Sequence, residues 1–345
     1  MNADTGPKRR ESDPHHENGE DTGRPATEAQ LARVRRTATA TYEENMIVIT
    51  GATGHTGRPA AEALLAKGEK VRVIGRDAKK LESLAQKGAE PFVGNVEDVA
   101  SMTKAFDGAT TVYLVVPEDI SQQDLRAHQE RVSDSYAAAI ANAHVPYVVA
   151  LSSIGAQHAE KTGPIVGLHN MEQKLNRIAG LNVLHLRAGY FMENLLMSIP
   201  PLRSMGTLPG GLASDAQMPC IATKDIAAYA ATRLAARDFS GSSTQELHGQ
   251  RDISMKEAAS VVGKAIGKPN LGYMQVPFMM LEPALVQMGL PKKTAALLIE
   301  MWKGANAGLI VPLEQRSAKN TTPTTIESFV QEVFLPAYNA KAGAA

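Results

Sequence analysis

Residues 49–57 read ITGATGHTG, and their three glycines have the spacing G-x-x-G-x-x-G. The segment follows a short apolar run and precedes residues 58–67, whose alanines and leucines recur at helical spacing. In such a strand–turn–helix unit Gly51 allows the tight turn, Gly54 lets the backbone approach a pyrophosphate, and Gly57 lets the helix pack closely on the sheet. Because the helix N-terminus also offers free N–H groups and a partial positive charge, this stretch predicts a dinucleotide site of the Rossmann type.

Strands and helices alternate around this stretch through the first half of the chain. Apolar runs predict strands at residues 46–50, 70–74, 91–94, 111–116, 147–151 and 183–186. Segments of helical spacing lie between them, at residues 58–67, 77–87, 99–106, 122–143 and 168–178. Strands separated by helices pair in parallel through right-handed crossovers, with helices on both faces of the sheet. The pattern predicts an α/β fold with a doubly wound parallel sheet and an NAD(P)-binding Rossmann core at 46–190.

Residues 191–345 lose this regular alternation. Prolines and glycines early in this part mark irregular loops. They are followed by a predicted helix from Lys224, a strand near 244–248 and a helix for which Ser254 is a good N-cap. We therefore expect a smaller C-terminal α/β region on the substrate side, with segments that return to the core.

Two later helices, predicted at 279–288 and 293–305, are apolar and contain several methionines. Methionine is flexible and fills irregular spaces, which allows two interpretations. The methionines either pack in a core, or they form an adaptable apolar lid over a substrate. An apolar pocket under these helices would favour an enzyme.

Residues 1–45 differ from the rest of the chain in composition. They are rich in Arg, Glu, Asp, Thr and Pro, with almost no large apolar residue. Such a segment cannot bury enough surface to offset the entropy of ordering, so we predict a disordered N-terminal tail. Its acidic residues argue against a transit peptide. Because Met46 opens the first strand, we expect that the natural start is Met46 and that the tail is an upstream extension; a regulatory arm is the alternative.

The charge and cysteine content argues against several classes of protein. Lys and Arg together number 36, as do Asp and Glu, so no net field favours nucleic acid or an acidic membrane. The single cysteine, Cys220, excludes an internal disulfide and fits a reducing compartment. It lies in an apolar stretch, where we expect a small buried side chain rather than a nucleophile. No cluster has metal-ligand spacing, so no metal is expected. Because no apolar run is long enough to span a membrane and the cysteine content fits a reducing compartment, a cytoplasmic protein is expected.

The end of the second predicted strand bears on the choice of cofactor. An acidic residue there binds the ribose hydroxyls of NAD, whereas an Arg accommodates the 2′-phosphate of NADP. Arg76 stands at this position, and Lys79 and Lys80 follow within a turn. A bidentate guanidinium suits a phosphate, so the sequence favours NADP over NAD. Asp77 leaves the alternative open, because it could contact ribose or cap the next helix.

Other cofactor contacts are expected where the later strands end, because ligands of such sheets lie outside the carboxyl ends of the strands. One segment follows the third strand, at the adenine. A second ends the fourth strand, beneath the middle of the cofactor, and a third ends the fifth strand near the nicotinamide. Together with the remaining members of the glycine loop, the expected contacts are Thr53, His55, Thr56, Asn95, Val96, Val115, Val116, Pro117 and Ser152.

These segments resemble the atypical short-chain dehydrogenase/reductases and, within them, the NmrA-like group. The resemblance runs from residue 46 to about 277. It rests on TGATGHTG at 50–57, VRVIGRD at 71–77, GNVED at 94–98, LSSIGA at 151–156 and HLRAGYFMEN at 185–194. It implies a Rossmann fold that binds NAD(P). Members of the group include NAD(P)H-quinone reductases and NADPH-sensing regulators with little or no turnover.

Two departures from the family pattern concern the chemistry. No tyrosine of this chain has a lysine four residues later, so the Tyr-x-x-x-Lys proton donor of the active short-chain dehydrogenases is missing. When the chain is matched to the family pattern, Leu168 stands where relatives carry an active-site lysine. Asn95 also replaces an aspartate that is common in relatives, which changes the expected adenine contact without removing it.

Hydride transfer to a quinone depends less on a protein acid than ketone reduction does, because the reduced oxygens can take protons from water. We therefore expect hydride transfer from NADPH to a quinone-like or other small apolar acceptor. Tyr190, Phe191 and Asn194 follow the sixth strand and are expected to line the nicotinamide side, although packing is an equal alternative for the two aromatic residues. Tyr190 and His169 are weak candidates for a catalytic role, and a surface or loop-contacting histidine is the stronger interpretation of His169.

A cofactor-sensing protein with little turnover is the alternative function. It would change its contacts with a protein partner when NADPH binds. The sequence predicts a monomer or homodimer without a direct nucleic-acid or membrane partner, and it does not identify the acceptor.

Overall fold

The computed structural model describes residues 45–340. Apart from Asn45, the predicted disordered tail lies outside these residues. That Met46 is the natural start stays a prediction. No helix within residues 45–340 is both long and apolar enough to cross a membrane.

A seven-stranded sheet forms the centre of the described chain, with the strand order β10-β6-β5-β4-β1-β2-β3. Every neighbouring pair in it is parallel. The strands are β1 Met46–Ile49, β2 Lys70–Gly75, β3 Glu90–Val93, β4 Ala109–Leu114, β5 Tyr147–Ser153, β6 Asn182–Ala188 and β10 Ser242–Leu247. From β1 the chain winds first to one side and then to the other, so the topological switch point lies between β1 and β4. This confirms the predicted doubly wound sheet.

Helices cover both faces of the sheet, as expected for parallel strands that are joined by crossovers. They are α1 Gly57–Ala66, α2 Ala78–Ala85, α3 Val99–Phe106, α4 Leu125–Asn142 and α5 Ile165–Asn176. One buried cluster packs α1 and α2 on the sheet, and a second packs α3, α4 and α5 on the opposite face. Helix α4 begins three residues later than the sequence predicts, because Asp124 caps it by accepting from the N–H of Ala127.

The second half of the chain returns to this core. Strand β10 pairs in parallel with β6 and extends the sheet by one strand. Helix α7, Thr223–Ala236, places Ile226 and Leu234 in the same buried cluster as α1. Segments from beyond residue 191 thus complete one face and one edge of the nucleotide-binding core. The division of the chain at residue 190 stays a prediction.

The rest of the C-terminal region has a buried cluster of its own. Its short strands are β7 Tyr190–Phe191, β8 Leu208–Gly210, β9 Met218–Ile221, β11 Asp252–Ile253 and β12 Tyr273–Gln275. Its helices are a 3₁₀ turn at Met192–Ser198, α6 Ile199–Met205, α8 Met255–Ala265, α9 Phe278–Gln287, α10 Lys292–Asn306, α11 Ile326–Phe329, a π turn at Val330–Phe334 and α12 Leu335–Asn339. The hydroxyl of Ser254 accepts from the N–H of Glu257 and caps α8, as the sequence predicts. The two- and three-residue strands are too short to leave a periodic signal in the sequence.

Helices α9 and α10 form a hairpin with a small core of its own. Met279, Met280 and Met288 are 88%, 65% and 67% exposed, so the interpretation that the methionines pack in a core is wrong for these three. Met301 is partly buried against the hairpin core, where that interpretation holds.

Candidate dinucleotide site

The glycine loop between β1 and α1 has a shape that only glycine allows at two positions. Gly51 has φ +61°, in the left-handed region that favours glycine. A Cβ on Gly57 would lie 2.3 Å from the carbonyl oxygen of Gly51, closer than nonbonded atoms can approach. The N–H of Gly54 donates to that same carbonyl at 2.9 Å and closes the turn. The loop therefore fits a dinucleotide, since it leaves bare backbone at the N-terminus of α1.

The base of the loop is tied to β4 by Thr50. Its hydroxyl donates to the carbonyl of Tyr113 at 3.0 Å and accepts from the N–H of Val115 at 2.8 Å. A Cβ on Gly51 would meet the Cβ of Val115 at 3.0 Å, so this side chain lies directly beneath the turn. The structure thus brings the predicted contact Val115 to the glycine loop, and Val116 and Pro117 continue from it at the carboxyl edge.

Arg76 ends at the same edge, immediately after β2. Its side chain is exposed and forms no hydrogen bond or ion pair with any other residue among 45–340. Asp77 accepts from the N–H of Lys79 at 2.9 Å and caps α2. Of the two roles that the sequence left open for Asp77, the structure shows the helix cap, and a contact with ribose stays a prediction. Lys80 is exposed on the first turn of α2.

The loop after β3 holds the predicted adenine contacts. Asn95 is exposed, and its side-chain oxygen accepts from the N–H of Glu97 at 3.1 Å, which leaves its amide NH₂ group as a donor. Val96 packs in the buried cluster beneath, so only its backbone can face a ligand. Glu97 fixes the loop to α4 by accepting from Arg131 and His128, which hold the pKa of this carboxyl below its usual value.

Ser152, at the end of β5, belongs to a buried charged network. Its hydroxyl donates to Glu172 at 2.6 Å, and Glu172 also accepts from Nε and Nη2 of Arg187 at 3.0 and 2.6 Å. Ser152 and Glu172 are each 2% exposed. Because the hydroxyl already donates its hydrogen bond to the carboxylate, Ser152 can offer a ligand only its lone pairs. In its predicted contact with the cofactor, Ser152 would therefore act as a hydrogen-bond acceptor.

The substrate-side candidates lie on β7 and in the turn that follows it. Tyr190 pairs with Cys220 on β9, and burial raises the pKa of its phenol, which keeps it protonated. Phe191 packs against the core cluster around α1, which supports the packing alternative for its ring, and Asn194 is half-buried in the 3₁₀ turn. Cys220 is 3% exposed, and burial raises the pKa of its thiol to about 12, as expected for a small apolar side chain.

His169 lies on the second turn of α5, and its Nδ1 is 2.8 Å from the carbonyl oxygen of Ala156. It contacts the loop that follows β5, in line with the loop-contacting interpretation. Leu168, at the position of the missing lysine, is partly buried against the sheet.

Helix α10 closes the side of the site formed by the loops after β4 and β5. Thr294 is fully buried, and its hydroxyl donates to the carbonyl of Gln122 at 2.8 Å. Lys293 pairs with Asp124 at 2.7 Å. A Cβ on Gly163 would meet the carbonyl of Leu297 at 2.1 Å, so the second loop and the helix are in direct backbone contact. A separate shallow cavity of about 230 Å³ among the C-terminal helices contains none of the residues of this edge.

The sequence analysis missed Glu118, which follows Pro117 at the end of β4. Its carboxyl interacts electrostatically with His55 of the glycine loop and with Tyr190 of β7. The sequence does offer one signal for it, because an acidic residue directly follows the predicted contact Pro117.

A doubly wound sheet with a glycine loop at its switch point, an unpaired Arg after β2 and backbone groups free at a helix N-terminus defines a dinucleotide-binding Rossmann protein. Residues 43–330 match the NmrA-like family over most of the chain. The chain belongs to that family.

Two relatives and one solved structure illustrate the similarity. Quinone oxidoreductase 2 of Escherichia coli (strain K12) is 29% identical over 268 residues, which cover 76% of this chain and 89% of that protein. The (4-alkanoyl-5-oxo-2,5-dihydrofuran-3-yl)methyl phosphate reductase of Streptomyces griseus is 28% identical over 224 residues, 65% of this chain and 75% of the relative. A crystal structure of NADPH-dependent quinone oxidoreductase from Escherichia coli, complexed with NADPH, aligns with a TM-score of 0.71 at 26% identity. It covers 84% of this chain and 100% of that one.

Proposed function

We propose that this protein is an NADPH-dependent reductase that transfers hydride to a quinone-like or other small conjugated acceptor. The observation that carries the proposal is the glycine loop, in which a Cβ on Gly57 would collide with the carbonyl of Gly51 at 2.3 Å. Such a loop leaves its backbone amides for a pyrophosphate. The reductase names of its relatives, one of them crystallised with NADPH, support the same cofactor and reaction type.

The residues of the site divide the work along the cofactor. The glycine loop would hold the pyrophosphate, Arg76 the 2′-phosphate, and the exposed amide of Asn95 the adenine. Ser152 would accept a hydrogen bond from the nicotinamide end. When bound, the cofactor supplies a hydride; the protein orients it and keeps water away.

The acceptor would lie between β7 and α10. The partly buried Tyr190 would offer ring surface, and α10 closes the side of the site beside the loops after β4 and β5. Flat aromatic side chains favour a flat conjugated acceptor, because stacked or edge contacts between rings are favourable. This supports a quinone-like acceptor over a flexible aliphatic ketone.

A second candidate function is NADPH sensing with little turnover. It is favoured by three exposed methionines, Met279 and Met280 in α9 and Met288 at its C-terminal end, since a flexible apolar surface suits a protein partner. The absence of a Tyr-x-x-x-Lys pair agrees with it. Under this function the cofactor would change the affinity for a partner, with no acceptor consumed.

Titration of the purified protein with NADPH and NADH, followed by turnover with a panel of quinones, separates the two functions. Rapid NADPH oxidation that requires a quinone would support the reductase. Tight NADPH binding without turnover on any acceptor would favour the sensor. Failure to bind either dinucleotide would overturn both proposals.

We expect Arg76→Ala to weaken NADPH binding by about 10- to 100-fold and to leave NADH binding unchanged. A charge-assisted hydrogen bond to a phosphate contributes about 1.5–3 kcal/mol, and only NADPH carries the 2′-phosphate. Fluorescence titration with each dinucleotide measures both constants. Lys104→Ala, an equal loss of charge on the exposed face of α3, is the control. Equal weakening of both dinucleotides would show that Arg76 does not read the 2′-phosphate.

A further inference from the structure

A long segment without regular structure lies against the carboxyl ends of β5 and β10. It runs from residue 307, directly after α10, to residue 325, directly before α11, and contains no helix or strand. We call this segment the strap. Ordered loops longer than about 12–15 residues are uncommon in compact domains and usually serve a functional site. The contacts that hold the strap therefore bear on the site beside it.

Glu246 fastens the middle of the strap to β10. Its two carboxylate oxygens accept from the backbone N–H groups of Leu313 and Glu314, at 2.9 and 3.0 Å. Nε2 of His248 lies 2.9 Å from the same carboxylate, and the side chains of Glu246 and His248 are 1% and 2% exposed. Hydrogen bonds from backbone donors to a carboxylate are charge-assisted and stronger than neutral ones. The buried carboxylate thus fixes the strap against the sheet.

Further hydrogen bonds hold the second half of the strap. The carbonyl of Asn320 accepts from the N–H of His248 at 2.7 Å, and Arg316 donates to the carbonyl of His248 at 3.3 Å. The N–H and the hydroxyl of Thr324 both donate to Asp225 of α7, at 3.0 and 2.7 Å. The strap is therefore an ordered part of the molecule with a defined course.

The first part of the strap places Ile310 on the loop that follows β5. A Cβ on Gly155 would lie 3.2 Å from Cγ2 and 3.3 Å from Cγ1 of Ile310, so this side chain covers the glycine directly. Gly155 comes shortly after Ser152 at the carboxyl edge of the sheet, where ligands of such sheets bind. Ile310 is half-buried, so part of its side chain is open to a ligand in that space.

Helix α10 packs on the same loop and leads into the strap. A Cβ on Gly304, near the end of α10, would lie 2.4 Å from the carbonyl oxygen of Lys161. Gly163 meets the carbonyl of Leu297 in the same way. Because Ile310 follows this helix in the chain, it continues the wall that α10 forms beside the acceptor.

Resting on the proposed function, we propose that Ile310 is a specificity-determining residue that limits the size of the acceptor, and that Glu246 is the positioning residue that holds the strap in place. The side chain of Ile310 offers a quinone only apolar contact, so it selects by shape. In an apolar pocket, one methylene group more or less changes kcat/KM by about 10- to 200-fold. Quinones with a single ring would fit beside Ile310, whereas quinones with three fused rings would be restricted by it.

The test compares two acceptors, benzoquinone and phenanthrenequinone, at saturating NADPH. The readout is the ratio of kcat/KM for phenanthrenequinone to that for benzoquinone. Ile310→Ala removes the wall and Ile310→Phe enlarges it. Val311→Ala, at the next position of the strap, where the side chain is 45% exposed, is the matched control. Fluorescence titration with NADPH and thermal melting accompany each variant.

We expect Ile310→Ala to raise the ratio by at least about 10-fold, through a lower KM for phenanthrenequinone. Ile310→Phe should lower the ratio, and Val311→Ala should match the wild type. The NADPH dissociation constant should change by less than about threefold in all three variants. A residue with only a structural role would not shift the ratio in opposite directions.

The role of Glu246 is tested by Glu246→Gln, which keeps the shape of the side chain and removes its charge. Hydrogen exchange at the amides of Leu313 and Glu314 should become at least about 10-fold faster. The acceptor ratio should shift in the same direction as in Ile310→Ala, because a loosened strap no longer holds the wall. Unchanged exchange at both amides would overturn the positioning role of Glu246.

The outcomes that would overturn the role of Ile310 are distinguishable from failure of the proposed function. If the wild type reduces quinones and both Ile310 variants keep its ratio, or lose activity equally with the two acceptors, Ile310 does not determine specificity and the reductase stands. A wild type that reduces no quinone overturns the proposed function and the specificity role together. If Glu246→Gln does not fold, as its melting curve would show, the two Ile310 variants still decide the specificity role.

Discussion

Replacing Gly57 by Ala is expected to weaken binding of NADPH and NADH by at least about 100-fold, or ~2.7 kcal/mol. The new Cβ would lie 2.3 Å from the carbonyl oxygen of Gly51 and 2.7 Å from its carbonyl carbon. Both are backbone atoms, so the clash cannot be relieved by turning a side chain. The turn must move, and the backbone amides that would hold the pyrophosphate move with it. Titration with each dinucleotide, followed by nucleotide fluorescence, measures the loss.

The control is a Gly→Ala substitution at a position where the new Cβ contacts no other atom. A Cβ on Gly272 would have no neighbour within 4 Å, and its φ is not in the left-handed region, so Gly272→Ala should bind like the wild type. Thermal melting of both variants separates loss of binding from loss of fold. Unchanged affinity in a folded Gly57→Ala protein would mean that this loop is not where the dinucleotide binds.

The second large effect is expected on stability, when the buried ion pair of Glu172 and Arg187 is broken. We expect Arg187→Met to lower the free energy of unfolding by about 3–5 kcal/mol, because it leaves a carboxylate buried without its partner. Glu172 is 2% exposed and its other contact is the hydroxyl of Ser152, which cannot neutralise it. Denaturant unfolding measures the change, with the exposed Arg177→Met as the control.

The double variant Glu172→Leu with Arg187→Met should recover much of the stability, because neither charge is left buried. If Arg187→Met lowers the free energy of unfolding by less than about 1 kcal/mol, the pair behaves like an exposed ion pair, and the prediction is contradicted.

Several elements of the fold follow directly from local sequence. The apolar strands β1 to β6 and the glycine turn were predicted because their signals lie within a few consecutive residues. Helix α3 begins and ends at the predicted residues, 99 and 106. Helix α8 follows Ser254, whose hydroxyl oxygen accepts the cap hydrogen bond the sequence implies. In each case the residues that cause the structure are neighbours in the chain.

The site was less predictable than the fold. The glycine loop, Arg76 and the residues after β3 and β4 were predicted from their positions at strand ends, and they stay predictions as cofactor contacts. The sequence left the role of Asp77 open, and the structure shows that it caps α2 through the N–H of Lys79. Glu118 was missed because nothing in the local pattern distinguishes one exposed acid from another.

The sequence by itself determined the class of this protein: a parallel α/β sheet, a glycine-rich turn after β1, and an arginine after β2. Periodicity and backbone sterics act over short distances, so a single chain reveals them. The tertiary structure alone decided which distant residues meet. It joined Ser152 to Glu172 and Arg187, and it returned β10 to the edge of the sheet. Such contacts depend on packing among segments that are far apart in the chain, and no local pattern encodes them.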